Sequence, residues 1–323
     1  MEKFDYRREF TNYYWLLGAG FFLIFPLLVK SPYILHVMIL CFIWSIYVGS
    51  WNILFGYMGV YCFGQQAFFG LGAYTSALLV IKAGFPIFAA MLLGGAVASL
   101  SSLIVALPTL RLKGAYIALV TLAFSEVTRI ICSNWIDFTR GQLGLSVPAL
   151  FPGASRFGPY YLGFILFFVS LMIFYRVIHS SFGSVTTAVR ESQEAAESLG
   201  VDVVKYKLLA FVLSSFFSGI AGAFYAHYIQ ILTPEIMALG NIVDVLVYGV
   251  FGGLGTLAGP VVGSFLLKFL SEYMRFLEQL RFLIFGLIII LGVIFLPEGL
   301  VGKLWAIFKK PSRKSDQSKI PSL

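Results

Sequence analysis

Apolar residues along this chain come in long unbroken runs and not in alternation with polar ones. Bounded by charge, Pro or Gly, the runs fall near 13–29, 33–54, 59–81, 86–107, 114–132, 159–178, 208–231 and 281–299. A helix needs about 20 largely apolar residues to cross a hydrocarbon layer about 30 Å thick, so each run is an expected transmembrane span. Barrel strands would alternate every second residue, so helices are predicted instead. A further apolar region, 241–270, is interrupted by Gly252-Gly253-Leu254-Gly255-Thr256-Leu257-Ala258-Gly259-Pro260. Gly and Pro at that density predict a broken or re-entrant helix. The expected fold class is all-α, a polytopic membrane helix bundle of about eight spans plus the broken region.

Composition strengthens this picture. Of 323 residues, 59% are hydrophobic and 12% charged, against roughly half and a quarter in a soluble domain. The net charge of +8 could point to nucleic acid, but the basic residues are scattered through loops and a tail without an interleaved aromatic patch. They read as topology signals, and no nucleic acid partner is expected. With the N-terminus inside, and 241–270 entering and leaving on one side, the inside segments hold three Lys or Arg before residue 13. They also hold Arg111 and Lys113, the four residues Arg176, Arg190, Lys205 and Lys207, and six in the tail, against six outside. The positive-inside rule then places both termini in the cytoplasm. The first apolar run follows Lys3, Arg7 and Arg8, as in a signal peptide, but it is long and lacks an Ala-x-Ala pattern, so it is expected to be retained as the first span. The resulting division is a cytoplasmic N-terminus at 1–12, a transmembrane domain at 13–303 and a cytoplasmic tail at 304–323.

Two connections are too long for simple turns. Residues 133–158, outside, are expected to form a structured cap. Residues 179–207, inside, are polar and contain the helix-prone run Glu191 to Gly200, with Gly200 as its stop.

Catalytic chemistry finds little support. The three histidines, His36, His179 and His227, have no carboxylate or Cys partner at ligand spacing, and the chain lacks the phosphate-cradling Gly-x-x-x-x-Gly-Lys-Ser/Thr loop. Cys41, Cys62 and Cys132 are widely spaced, so neither a zinc site nor a disulfide framework is expected. No catalytic or metal site is predicted. Glu126 and Arg129, three apart in one span, are expected to neutralise each other as a structural pair. Small residues recur every four positions at Ala90, Gly94, Ala98 and Ser102 and again at Ser214, Ser218, Gly222 and Ala226, which predicts close helix packing. Two Gly clusters are candidates for lining a translocation path: Gly64, Gln65, Gln66, Phe69, Gly70 and Gly72 in the first, and Gly252, Gly253 and Gly255 in the second. Close helix crossing is the competing explanation, and the pattern alone does not choose between them.

These blocks resemble the permease subunits of branched-chain amino acid ABC importers, in particular the LivM type, over most of residues 33–303. The resemblance rests on Val60 to Tyr74 with its glycines and aromatics, on Leu110 to Tyr116 followed by Glu126-x-x-Arg129, and on Ala188-Val189-Arg190-Glu191 with Glu194-Ala195-Ala196, Leu199-Gly200 and Tyr206-Lys207. It also rests on Gly252 to Thr256 with Gly259-Pro260, closed by Pro297-Glu298-Gly299-Leu300. It implies a non-enzymatic permease in the bacterial inner membrane that forms half of a pathway for branched-chain or related amino acids. It further implies a coupling helix carrying Arg190, Glu194, Ala195, Ala196 and Gly200 in the 179–207 loop. The implied partners are a second homologous permease, two ABC ATPase subunits, an extracytoplasmic substrate-binding protein and membrane lipid. No cofactor is implied in this chain, since the partners hydrolyse ATP. The Ile-x-Leu-Pro ending of the fuller importer motif is absent after Gly200, and positions near Gln65 and Gln66 vary with cargo. A urea or short-chain amide permease is the alternative within the class, and an ion-coupled secondary transporter the alternative outside it.

Overall fold

The computed structural model describes residues 14–29, 31–110, 112, 114–151, 153, 157–274, 283–284, 286–287 and 299–308. In chain order its helices are α1 (Tyr14–Leu28), α2 (Pro32–Asn52, prolonged by a π-helical turn at Ile53–Tyr57), α3 (Gln65–Ala83), α4 (Ile87–Thr109) and α5 (Ala115–Asn134). There follow α6 (Ile136–Thr139), a short strand β1 (Leu145–Ser146), α7 (Phe157–Ile178), α8 (Ser181–Glu191), α9 (Gln193–Ser198) and α10 (Val203–Ile229). The chain continues through β2 (Ile231–Leu232), a 3-10 turn at Pro234–Met237, α11 (Leu239–Gly252), α12 (Ala258–Tyr273) and α13 (Gly299–Phe308). The fold is an all-α polytopic bundle. Among the described residues the one strand pairing is that of β1 with β2, antiparallel, Leu145 opposite Leu232.

Among the described residues six helices, α2, α3, α4, α5, α7 and α10, are long and apolar enough to cross a membrane. Two expected spans are not among these six. The run at 13–29 yields α1, described over 15 residues from Tyr14 to Leu28, about 22 Å at 1.5 Å per residue. The run at 281–299 lies almost wholly outside the described residues. α13 runs from Gly299 to Phe308.

The broken region resolves into two short helices. α11 has 14 residues and α12 has 16, about 21 and 24 Å long, so neither crosses alone. A Cβ on Gly252 would overlap the carbonyl of Gly259, and one on Gly263 would overlap the carbonyl of Tyr248. The partners rise along one helix as they fall along the other, so the pair is an antiparallel hairpin.

α2 is the axis of the bundle. Every residue from Val37 to Asn52 is buried, which explains why its sequence is apolar all round without a polar face. It packs on α7, α10, α11 and α12. A second layer joins α3, α4 and α10 through the two small-residue stripes. A Cβ on Gly94 would lie 2.6 Å from the carbonyl of Gly72, and one on Gly219 would lie 2.7 Å from Cβ of Ala98. In lipid, where water does not drive helices together, such backbone approach supplies the packing.

A side chain at Gly72 would meet the backbone of Gly219, whereas one at Gly18 meets nothing within 4 Å. Gly72→Val is expected to lower the thermal unfolding midpoint of the purified protein by an amount matching about 1–3 kcal/mol or to prevent its accumulation. Gly18→Ala is expected to leave it unchanged, both followed by fluorescence-detected size exclusion after heating.

Candidate functional site

The 179–207 connection holds two helices where the sequence predicts one run, 191–200. Ser192 divides them. Its backbone is extended at φ −158° and ψ 111°, and its Oγ accepts the N–H of Ala195 at 3.2 Å, capping α9. A hydroxyl at that position competes with the helix ladder and starts a new helix. α9 ends where expected, with Gly200 in left-handed backbone at φ +82°. Of the predicted coupling residues, Ala196 is buried and turns inward, while Arg190, Glu194, Ala195 and Gly200 are exposed. Leu199, not singled out by sequence reasoning beyond its place in the block, projects with 84% of its surface exposed.

Arg190, the next-to-last residue of α8, ties this loop to the bundle. Its Nη1 donates to the carbonyl of Gly56, in the π-helical turn that ends α2. Its side chain passes over Gly59, where a Cβ would stand 3.0 Å from Cγ of Arg190, and its Nη1 lies 2.8 Å from the Cβ position of Gly255. Gly59 and Gly255 have φ of +72° and +70°, so both the backbone turn and the space for the guanidinium require glycine.

Asn52 locks the other side of this junction. Its Nδ2 donates to the carbonyl of Thr256 at 2.9 Å and its Oδ1 accepts the N–H of Gly255 at 3.0 Å. These are the backbone groups released where the α11–α12 hairpin breaks, and inside the membrane no water is there to satisfy them. Gly299, at the start of α13, closes on the same point, since its Cβ position overlaps the backbone of Gly253. Thus Gly56, Gly59, Gly253, Gly255 and Gly299, from three separated stretches, meet around Asn52 and Arg190. Nothing in sequence spacing marks Asn52.

The first Gly cluster lies within the bundle. A Cβ on Gly64 would overlap the carbonyl of Thr121 and one on Gly70 would overlap Met237. The Phe69 ring is tilted at 46° against that of Tyr47, ring centroids 4.7 Å apart. Gln65 donates through Nε2 to Ser50 Oγ at 3.1 Å and Ser214 Oγ at 3.0 Å. Among the described residues neither amide atom of the fully buried Gln66 has a hydrogen-bond partner. Gly252, Gly253 and Gly255 lie in the hairpin break already described.

Glu126 and Arg129 form the expected pair on α5, with Arg129 Nε 3.1 Å from both Glu126 oxygens. The structure adds Glu235, whose Oε1 lies 3.7 Å from Arg129 Nη1. The pair is partly exposed, so it contributes at least the few tenths of a kcal/mol of an i,i+3 ion pair in water, and it spares the span an uncompensated charge. At the same end the predicted cap over 133–158 is anchored by His227. Its Nδ1 donates to the carbonyl of Pro148 at 2.9 Å, which leaves Nε2 to accept from Ser76 Oγ at 2.9 Å in the neutral ring.

Asn52→Ala would strand two backbone groups at about 1–3 kcal/mol each, and is expected to lower the unfolding midpoint more than Asn241→Ala, whose carboxamide is partly exposed. Differential scanning fluorimetry in detergent reads both. Removing Arg129 alone (Arg129→Met) is expected to destabilise more than the double variant Glu126→Gln/Arg129→Met, because the single change leaves a carboxylate unpaired in the span; the same assay checks the order.

Comparison with known proteins follows the same lines as the geometry. The model of the permease component of branched-chain amino acid transport systems matches residues 33–294. The high-affinity branched-chain amino acid transport system permease protein LivM of Salmonella typhimurium is 30% identical over 77% of this chain, and its Escherichia coli counterpart is 29% identical over the same share. The alignments cover about 65% of the length of these two relatives. The probable LivM of Methanocaldococcus jannaschii is 23% identical over 78% of this chain and 88% of its own length. No solved structure matches.

Proposed function

This chain belongs to the family of permease components of branched-chain amino acid transport systems, and we propose that it forms half of the membrane pathway of an ATP-driven importer for branched-chain amino acids. It is a multi-pass membrane protein whose relatives are transport components, and its own work is passage and coupling, not catalysis. One observation carries the reading: a short capped helix, α9, exposes Glu194 and Leu199 while Arg190 beside it is bonded to the glycine junction of α2 and the hairpin. A push on α9 therefore reaches Gly56 and Gly255 through a single side chain. Interfaces of this kind switch between discrete arrangements and do not bend continuously.

In this proposal α9 docks on a separate ABC ATPase, with Ala195 and Ala196 permitting close approach and Leu199 inserted into the ATPase surface. Both termini and the 179–207 loop lie in the cytoplasm, and the membrane is the bacterial inner membrane. A second homologous permease completes the pathway, a second ATPase serves it, and an extracytoplasmic binding protein delivers the amino acid to the capped end. Gln66, with its unpartnered buried carboxamide, is the residue of the first Gly cluster best placed to meet a polar group in another state of the pathway. The glycine junction supplies the joint on which the pathway opens.

Proteoliposomes holding the assembled complex test this. They are expected to take up radiolabelled leucine only with ATP, and Glu194→Arg is expected to abolish uptake while the complex stays assembled. Leu199→Glu touches nothing that stabilises the chain itself, so uptake is expected to fall roughly tenfold or more with the unfolding midpoint unchanged. Leucine uptake that persists without ATP would replace this reading with a secondary carrier, and uptake of urea or short amides in place of leucine would change the cargo.

A further inference from the structure

Two neighbouring carboxamides, Gln65 and Gln66, open α3, and both are fully buried. Among the described residues Gln65 Oε1 and both amide atoms of Gln66 have no hydrogen-bond partner. Polar groups buried in that way cost stability. The same bundle pairs even the backbone released at the hairpin break, so three orphaned atoms on one helical turn point to a partner that arrives when the bundle moves. The orientation of Gln65 is fixed by its neighbours. Ser50 Oγ donates to the carbonyl of Tyr47 at 2.7 Å, and Ser214 Oγ to that of Ser50 at 2.6 Å. With their hydrogens committed, both hydroxyls can only accept from Gln65, at 3.1 and 3.0 Å. Nε2 must therefore face the serines, and Oε1 is left as an acceptor.

α3 also starts inside the bundle and not at its surface. At 1.5 Å per residue, Gln65 meets Ser50 about 10 Å before the α2 rod ends at Tyr57, and Ser214 about 16 Å after α10 begins at Val203. The chain reaches this depth through irregular backbone at 58–64. There the Cys62 carbonyl accepts from Trp51 Nε1 at 2.7 Å, and the Phe63 N–H donates to Thr121 Oγ1 at 2.9 Å. Gly64 ends the segment because a Cβ there would overlap the Thr121 carbonyl, and having no side chain it leaves the first N–H groups of α3 without a side-chain cap. A helix that begins at such depth presents partial positive charge where little water screens it, and favours an anionic group. Phe69 and Gly70 follow Gln66 on the same face, three and four residues on. Phe69 lies against Tyr47, and a Cβ on Gly70 would overlap Met237. Tyr47, Phe69 and Met237 are all buried, which makes an apolar wall beside the carboxamides.

We propose that the first turn of α3 is the point in the pathway that holds the amino acid in passage. The proposal rests on the import reading above and gives it a site. When the bundle opens there, the carboxylate of the cargo meets the α3 N–H groups and Gln66 Nε2, and its ammonium meets Gln65 Oε1. Its aliphatic side chain lies against Tyr47, Phe69 and Met237. Urea or a short amide has no carboxylate to offer the start of the helix, so the site selects amino acid zwitterions. In the closed arrangement described here the carboxamides stay orphaned, and that cost is relieved by the cargo when the pathway opens.

The test compares the native assembled complex with Gln66→Met, which removes the carboxamide at similar length, in proteoliposomes supplied with ATP and leucine-loaded binding protein. The unfolding midpoint of the variant is expected to stay level or rise, because orphaned groups leave the core. Its maximal rate of leucine uptake is expected to fall roughly tenfold or more. The concentration of loaded binding protein that gives half the maximal rate is expected to hold, since delivery precedes this contact. In the native complex, photo-leucine, which carries a diazirine in its side chain, is irradiated during turnover. Mass spectrometry is expected to find its adduct on Tyr47, Phe69 or Met237, and this labelling decides the matter where Gln66→Met fails to accumulate. Native uptake in Gln66→Met, a midpoint and rate that fall together, or labelling that leaves all three residues unmarked overturns this inference and leaves the import reading standing. Absence of ATP-driven leucine uptake by the native complex overturns the import reading itself.

Discussion

A backbone broken inside a membrane must find its hydrogen bonds in the protein, and the Asn52 carboxamide is how this fold meets that requirement. The hairpin of α11 and α12 interrupts its ladder at Gly253 to Leu257, and Asn52 serves the Thr256 carbonyl and the Gly255 N–H together. The hairpin is thereby fixed to the most buried helix of the bundle. The end of α2 is a π-helical turn, a form common at functional sites, and its Gly56 carbonyl accepts from Arg190. The link from coupling loop to bundle thus depends on a polar group whose first task is structural.

Glycine serves two ends in this molecule. In the layer of α3, α4 and α10 it lets backbones touch, and any side chain at Gly72 or Gly222 would overlap a neighbouring carbonyl or Cα. Around Asn52 and Arg190 it permits backbone with positive φ and clears the space a guanidinium fills. The first use makes a rigid body of three helices. The second makes a close-packed junction that Asn52 and Arg190 hold through backbone hydrogen bonds.

The long helices were legible because apolar runs of that length have one physical outcome in a chain this poor in charge. Their edges were less so. α10 begins at Val203 and not at 208, because Asp202 caps it by accepting the N–H of Lys205, and the stems of Lys205 and Lys207 travel with the helix while carrying charge. α3 begins at Gln65 and not at 59, because Gly59 turns the chain in a conformation that glycine takes readily. The division of the coupling loop at Ser192 escaped a propensity reading, since a capping hydroxyl acts over three residues and leaves no periodic trace. At the site, Glu126 with Arg129 could be paired from spacing alone. Asn52 and Glu235 could not, because their partners lie far away in sequence and only the packed bundle brings them together.

The central claim is that the coupling loop and the glycine junction move as one unit through Arg190. Spin labels at Ser198 and Tyr61, and at Ser198 and Leu143, all exposed, measure it in the assembled complex by double electron–electron resonance. The Ser198 to Tyr61 distance is predicted to hold constant between the ADP-bound and ATP-trapped states while Ser198 to Leu143 changes. A Ser198 to Tyr61 distance that shifts as much as the other would contradict the account, because α9 would then move without taking the junction with it.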